Sequence, residues 1–219
     1  MDLLESLELG MTAVNSDAWK SIIATKKQAH GWDAAIPDQS LIDEIVDELH
    51  NYCPSKQNLC RYKISVLKNF NDEERKLKLY KSAPRSPQDP DTNYNPQLLA
   101  PYVFVFFNDE KTDVDETTKE ASIMDIGIAS AFVCYSAVSK GLDIGFCACS
   151  SEDMRELFDG ERPWLLMGVG YKNTAKPARW DRADPANIWH CPVKNETLYS
   201  HGRPFTEKPQ RDTYIKFMD

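Results

Sequence analysis

Residues 102–107 read Tyr102-Val103-Phe104-Val105-Phe106-Phe107. Every position in this run is aromatic or β-branched, whereas a half-buried strand places a polar residue at each second position. The run predicts a strand covered on both faces, so secondary structure must lie above and below it. Upstream, Arg61-Tyr62-Lys63-Ile64-Ser65-Val66-Leu67 alternates polar and apolar residues, the pattern of a half-buried strand. A polar segment with Asn69 and Asn71 follows it, then a predicted helix through Glu74 and Leu79, then residues 84–96, whose four prolines break either periodicity and make a loop. Closer to the N-terminus, Leu41, Ile42, Ile45, Val46 and Leu49 recur at helical spacing after Pro37. Asp38 or Ser40 stands ready to cap that helix, which should end near Tyr52.

Downstream, residues 117–140 form the longest predicted helix, where Gly127, Ala129, Ser130 and Ala131 permit close packing and Gly141 ends the element. Leu142 to Ala148 reads as a strand or tight loop, Ser150 to Phe158 as a short helix capped by Ser150 or Ser151, and Trp164 to Tyr171 as a strand. Beyond Asn173 the chain is rich in Pro, Asp and Arg with little periodicity, too long for an ordinary connection. It is expected to wrap something such as a partner subunit. The interleaving of strands and helices, without internal repeat, predicts a single three-layer α/β or α+β domain.

With 26 basic against 34 acidic residues the net charge is -8, which discourages contact with the phosphates of nucleic acid or of anionic membranes. Neither is expected as a partner, and any anion must be captured locally. Residues 121–139 are poor in charge, but Asp125 would cost roughly 2.5–3.5 kcal/mol at a bilayer centre, so the stretch reads as a buried helix. Met1-Asp2-Leu3-Leu4-Glu5 carries no signal pattern, and a cytoplasmic protein is expected. The six cysteines, at 53, 60, 134, 147, 149 and 191, have no framework spacing and are expected as free thiols without metal or catalytic role.

Four segments could carry chemistry. Thr25-Lys26-Lys27-Gln28-Ala29-His30-Gly31-Trp32 gathers two lysines, an amide and an imidazole on a turn suited to grip a phosphate. Alone, such a run is more often a solvated surface turn. Cys53-Pro54-Ser55-Lys56-Gln57-Asn58-Leu59-Cys60-Arg61-Tyr62 joins a helix to a strand and offers Ser55, Lys56 and Asn58 as donors to carbonyls, hydroxyls or phosphate. Gly141-Leu142-Asp143-Ile144-Gly145-Phe146-Cys147-Ala148-Cys149-Ser150 exposes backbone N–H groups, and its lone C-x-C falls short of zinc spacing. Met167-Gly168-Val169-Gly170-Tyr171 places two glycines in a strand, marking either a bulge or the close approach of a backbone or ligand. No G-x-G-x-x-G, G-x-x-x-x-G-K-[ST], H-E-x-x-H or Ser-His-Asp pattern is present, and His50, His190 and His201 read as ordinary helix or loop residues.

Taken in order, these segments resemble the nitroreductase family of flavoproteins over roughly residues 17–182. The family's opening pattern, a basic pair, Ser, any residue, Arg or Lys, any residue and an aromatic, is similar to Lys26-Lys27-Gln28-Ala29-His30-Gly31-Trp32, with Gln28 in place of Ser and His30 in place of the second basic residue. Its Pro-Ser-x-x-Asn signature is intact as Pro54-Ser55-Lys56-Gln57-Asn58, while the usual Gln-Pro-Trp is here Cys60-Arg61-Tyr62. Asp125-Ile126-Gly127-Ile128-Ala129 resembles the family's central helix, a main dimer contact, and Gly168-Val169-Gly170-Tyr171 its terminal strand.

The resemblance implies an α+β, three-layer α/β/α domain with a mixed, mostly antiparallel central sheet, spanning the chain as an intertwined homodimer. It implies that Lys26, Lys27, Gln28 and His30 hold the phosphate and ribitol of FMN from one subunit, with Arg179 or Arg182 closing over it. Pro54, Ser55, Lys56 and Asn58 would reach the same flavin from the other subunit. Phe146, Ala148 and Cys149 would lie at the flavin ring, the last two offering N–H groups near N5, with Asn93 or Asn95 touching the ring. The implied activity moves electrons from NAD(P)H to a small organic acceptor such as a nitroaromatic or quinone, the flavin taking and passing the hydride. Another activity at the same site, such as reductive dehalogenation or flavin breakdown, stays open, as does a non-catalytic module whose basic turn docks an acidic partner.

Overall fold

Helix α1 (Gln39–Tyr52) buries Ile42, Ile45 and Leu49 at the predicted spacing. Asp38 occupies its N-cap position, but without the expected side-chain cap; its backbone carbonyl accepts from Leu41 N–H at 3.1 Å. Cys53 ends the helix in extended backbone, as a residue before proline must. The computed structural model describes residues 29, 31–68, 78–79, 96–108, 116–148, 152–173, 188–191 and 196–199.

Strand β1 (Tyr62–Lys68) pairs with β2 (Tyr102–Asn108), from Tyr62 opposite Asn108 to Lys68 opposite Tyr102. After helix α2 (Glu116–Ser139), β3 (Asp143–Cys147) pairs with β4 (Pro163–Gly170), which also pairs with β2. Among the described residues the order is β1-β2-β4-β3 and every pairing is antiparallel. The continuous apolar run of β2 reflects its central place, buried on both faces.

Alternation along β2 divides the core in two. Tyr102, Phe104 and Phe106 share one cluster with Ile42, Ile45 and Leu49 of α1 and Ile126, Ala129, Val133 and Ala137 of α2. Val103, Val105 and Phe107 face the other way, onto Leu79, Leu98 and Met154. Leu98 belongs to a 3₁₀ segment, Pro96–Leu99, and Met154 to another, Glu152–Phe158, which replaces the predicted α-helix there. Full burial of each such phenylalanine contributes about 1.5–3 kcal/mol relative to exposure. Among the described residues the layers are thus two helices, an antiparallel sheet and a face covered largely by 3₁₀ segments.

Glu48 stitches α1 to α2. Its carboxylate accepts from Lys140 Nζ at 2.6 Å and Ser136 Oγ at 2.5 Å. Burial alone raises its pKa, but these hydrogen bonds and the Lys140 charge outweigh that and hold it below the ordinary glutamate range.

Two glycines are fixed by close approach rather than by a bulge or a ligand. A Cβ on Gly168 would meet the Gln97 carbonyl oxygen at 2.1 Å, and one on Gly145 the Ala29 carbonyl oxygen at 2.5 Å. Gly141, with φ +78°, ends α2 as expected.

The tail departs from its unpatterned reading. Ile188–Cys191 (β5) and Glu196–Tyr199 (β6) pair antiparallel as a separate two-stranded sheet. Helix α2 is long and apolar enough to cross a membrane, yet Ala121, Ile126, Ala129, Val133 and Ala137 are buried within the protein.

Candidate functional site

The turn after Pro54 is built from unusual backbone. Lys56–Asn58 forms one 3₁₀ turn in which Gln57 and Asn58 both have φ +56°, a left-handed region that a non-glycine residue occupies only when its surroundings hold it there. The Lys56 N–H donates to Asp125 Oδ1 at 2.9 Å, and the Cys60 N–H donates to Ser55 Oγ at 3.1 Å. Asp125 is 3% exposed, and its Oδ2 has no partner among the described residues. One turn earlier on α2, the Ser122 hydroxyl contacts both the Arg61 carbonyl and the Asn108 side-chain oxygen. The first half of α2 therefore pins both the turn and the start of β1. Pro54, Lys56 and Asn58 are exposed and Ser55 half-buried, leaving an ammonium and an amide facing outward as donors.

The basic segment is anchored at its centre. Ala29 N–H donates to the Ile144 carbonyl on β3 at 2.8 Å. Asp33 N–H donates to Tyr171 O at 2.8 Å, Asn173 N–H donates to Gly31 O at 2.9 Å, and Trp32 bridges Lys172. Lys172 is itself held by Asp143, which accepts from its N–H and its ammonium, both at 3.0 Å. Ala29 and Gly31 are buried, and Ala29 lies beside Ile144 of β3, two residues ahead of Phe146.

Phe146 pairs with Met167, gives its carbonyl to Gln97 Nε2 at 3.2 Å and packs half-buried against the helix-side core. Ala148 is exposed just past the end of β3. Lys26, Lys27, Gln28, His30, Asn93, Asn95, Cys149, Arg179 and Arg182 lie outside the described residues. Asp125 and Gln97 are the positioning residues that sequence reasoning missed. A lone carboxylate in the charge-poor stretch 121–139 was the available signal for Asp125; Gln97 offered none.

The two halves of the site stand on opposite edges of the sheet. The Pro54–Asn58 turn leads into β1, while Ala29 and Ala148 adjoin β3, and β2 and β4 lie between. At ~4.8 Å per strand the two edges are about 14 Å apart.

No family model and no curated protein matches the sequence. Solved structures match the fold. A nitroreductase family protein from Clostridium novyi NT superposes with a TM-score of 0.57 at 21% identity, covering 71% of this chain and 86% of its own. A nitroreductase family protein from Streptococcus pneumoniae TIGR4 gives 0.59 at 13% identity, with 91% of this chain and 100% of its own covered. The fold is that of the nitroreductases. An FMN-dependent nitroreductase from Clostridium difficile R20291 also shares it, at TM-score 0.55 and 15% identity over 72% of this chain and 90% of its own. Within the nitroreductase fold, the intact Pro54-Ser55-Lys56-Gln57-Asn58 signature occupies the strained turn that α2 holds in place.

Proposed function

We propose that the protein is an FMN-dependent oxidoreductase that works as a homodimer and passes electrons from NAD(P)H to a small organic acceptor such as a nitroaromatic or quinone. What supports this reading is a split arrangement: a polar turn at one edge of a nitroreductase-fold sheet and, at the other, Ala29 anchored to β3 within the sequence Lys26-Lys27-Gln28-Ala29-His30. A two-fold pairing brings the turn of one subunit to the β3 side of its partner, so that each flavin is held by both chains.

The residues present fit the cofactor. Lys56 and Asn58 present donors, Ser55 is set by the Cys60 N–H, and the anchored position of Ala29 lies within a sequence carrying Lys26, Lys27, Gln28 and His30 for the phosphate. Arg179 or Arg182 would close over it, with Asn93, Asn95 and Cys149 toward the ring. FMN, when bound, supplies the hydride chemistry. The chain's own work is to bind and orient the ring, keep water from it and offer N–H groups at Ala148 to the reduced form. Anaerobic mixing with NADH or NADPH should bleach the bound flavin, and a quinone should restore it; a flavin that neither nicotinamide reduces rejects the proposed donor.

Asp125 gives a local test. Asp125→Ala removes a charge-assisted hydrogen bond worth about 1.5–3 kcal/mol, so the turn loses its anchor and FMN affinity should fall at least about tenfold. Asp125→Asn keeps an acceptor and should bind near wild type. Equal affinity in all three proteins by fluorescence titration would place the turn outside the site.

His30 stands where the resembled pattern has a permanently charged residue. Its imidazole, ordinarily near pKa ~6.5, carries charge only when protonated, and a bound phosphate dianion raises that pKa. FMN affinity should therefore weaken as pH rises through the bound-state pKa, while the phosphate's own ionisation near ~6 acts oppositely below neutrality. His30→Arg should bind more tightly than wild type at alkaline pH, with the gap closing toward pH ~6, because guanidinium stays charged. Parallel titration curves would mean that His30 does not meet the phosphate.

A further inference from the structure

Three glycines lie together on one face of the sheet. Gly145 of β3 stands opposite Gly168 of β4, and Gly170, two residues on, faces the same way because side chains alternate along a strand. With no Cβ on any of them, another backbone or a ring can lie directly on the strands. One segment uses this bare patch at both of its ends. A Cβ on Gly145 would meet the Ala29 carbonyl oxygen at 2.5 Å, while Cβ atoms on Gly168 and Gly170 would meet Trp32 Cζ2 at 2.9 Å and Trp32 Cε3 at 3.3 Å. These two carbons are opposite corners of the six-membered ring of the indole, so that ring bridges the two glycines along β4. Ala29 N–H, Gly31 O and Asp33 N–H are bonded to Ile144, Asn173 and Tyr171, and Trp32 bridges Lys172. Residues 29 and 31–33 are thus tied to the sheet and its continuation, and in the sequence Lys26, Lys27 and Gln28 precede them and His30 stands between them.

We propose that Trp32, seated on Gly168 and Gly170, is the positioning residue that sets this segment for a phosphate and thereby gives the protein its preference for FMN over riboflavin, which lacks that phosphate. The inference rests on the flavin reading above and names what fixes its phosphate grip. Charge-assisted hydrogen bonds demand donors at a defined distance and direction. Lysine carries its charge on a flexible stem that does not place itself, so the backbone beneath it must be fixed. A tryptophan does this at little entropic cost, because its large rigid plane turns on only two side-chain torsions. Here the plane lies against two glycines of a strand that pairs on both sides. Removing it frees the segment at residue 32 while leaving Lys56, Asn58 and Ala148, the donors proposed for the rest of the flavin, where they are.

The test titrates the full chain, freed of flavin by dialysis, with FMN and with riboflavin, following the flavin's fluorescence. Wild type should bind FMN the more tightly. Trp32→Ala should lower the ratio of FMN to riboflavin affinity at least about tenfold, the loss of a single well-placed charged contact. Trp32→Leu keeps apolar bulk without a plane and should lower the ratio likewise, which secures the test if the alanine cavity prevents folding. Trp32→Phe restores a flat ring, and its ratio should lie within about threefold of wild type. Circular dichroism checks that each variant is folded. A general loosening of the fold weakens both flavins together and leaves the ratio unchanged, so an unchanged ratio in folded Trp32→Ala or Trp32→Leu overturns the inference and leaves the flavin reading standing. Wild type that binds neither flavin, or both equally, rejects the phosphate grip itself and the inference with it.

Discussion

Replacing Ile128 by Asp is expected to give a folded monomer that retains no flavin. Met124, Ile128, Ala131 and Tyr135 lie at positions i, i+4, i+7 and i+11 of α2, one stripe opposite the face buried on the sheet. Met124 is 61% exposed, Ile128 43% and Tyr135 48%, with Ile123 beside them. A helix apolar all round is one that is covered all round, and here one chain covers a single side. In a two-fold interface the stripe meets its own copy, so one substitution acts twice. An uncompensated buried carboxylate costs about 3 kcal/mol or more, and two of them weaken pairing by about four orders of magnitude. In the monomer the same position faces water, where a substitution changes stability by about 0.5 kcal/mol. Sedimentation should show the loss of the dimer, circular dichroism an unchanged fold, and dialysis the loss of FMN. A variant that stays dimeric and yellow would place the interface elsewhere.

Gly168→Ala should be the most damaging single methyl in the sheet. Its Cβ would fall 2.1 Å from the Gln97 carbonyl oxygen and 2.8 Å from the Ala100 Cβ, and the obstacle is backbone, which no rotamer change relieves. Overpacking of this kind costs about 3 kcal/mol or more, which for a chain of this length lowers the melting temperature by about 6–12 °C. The clash also presses on Gln97, which anchors the Phe146 carbonyl, so the β3 side of the site should loosen as the sheet does. Melting must be compared at one protein concentration, because the stability of the proposed dimer would depend on it. A shift below about 2 °C, less than 1 kcal/mol by the same scaling, would mean that the Gln97 segment yields easily and that Gly168 is not fixed by close approach.

The elements legible in the sequence are those whose burial repeats locally. Residues 102–107 are apolar throughout because Phe104 and Val105 face different layers, and Gln39–Tyr52 shows its one buried face at Ile42, Ile45 and Leu49. The hairpin at Ile188–Cys191 and Glu196–Tyr199 escaped because four-residue strands are too short to show a period. Glu152–Phe158 read as a helix by its composition, which does not separate 3₁₀ from α. At the candidate site, Pro54, Ser55, Lys56 and Asn58 were legible as a motif. What holds them was not, for Lys56 and Asp125 are 69 residues apart and only the fold joins them. The glycines at 168 and 170 left a bulge and a close approach open without naming what approaches, since Gln97 and Pro101 come from a distant segment.

The central claim is that this nitroreductase-fold chain binds FMN in a site shared between two subunits. The most direct measurement is to denature the purified, dialysed dimer and identify and count what it releases. The account predicts a yellow protein that releases FMN in equimolar ratio to chains. A colourless protein that FMN cannot reconstitute, or a folded monomer that keeps its flavin at micromolar concentration, would contradict it.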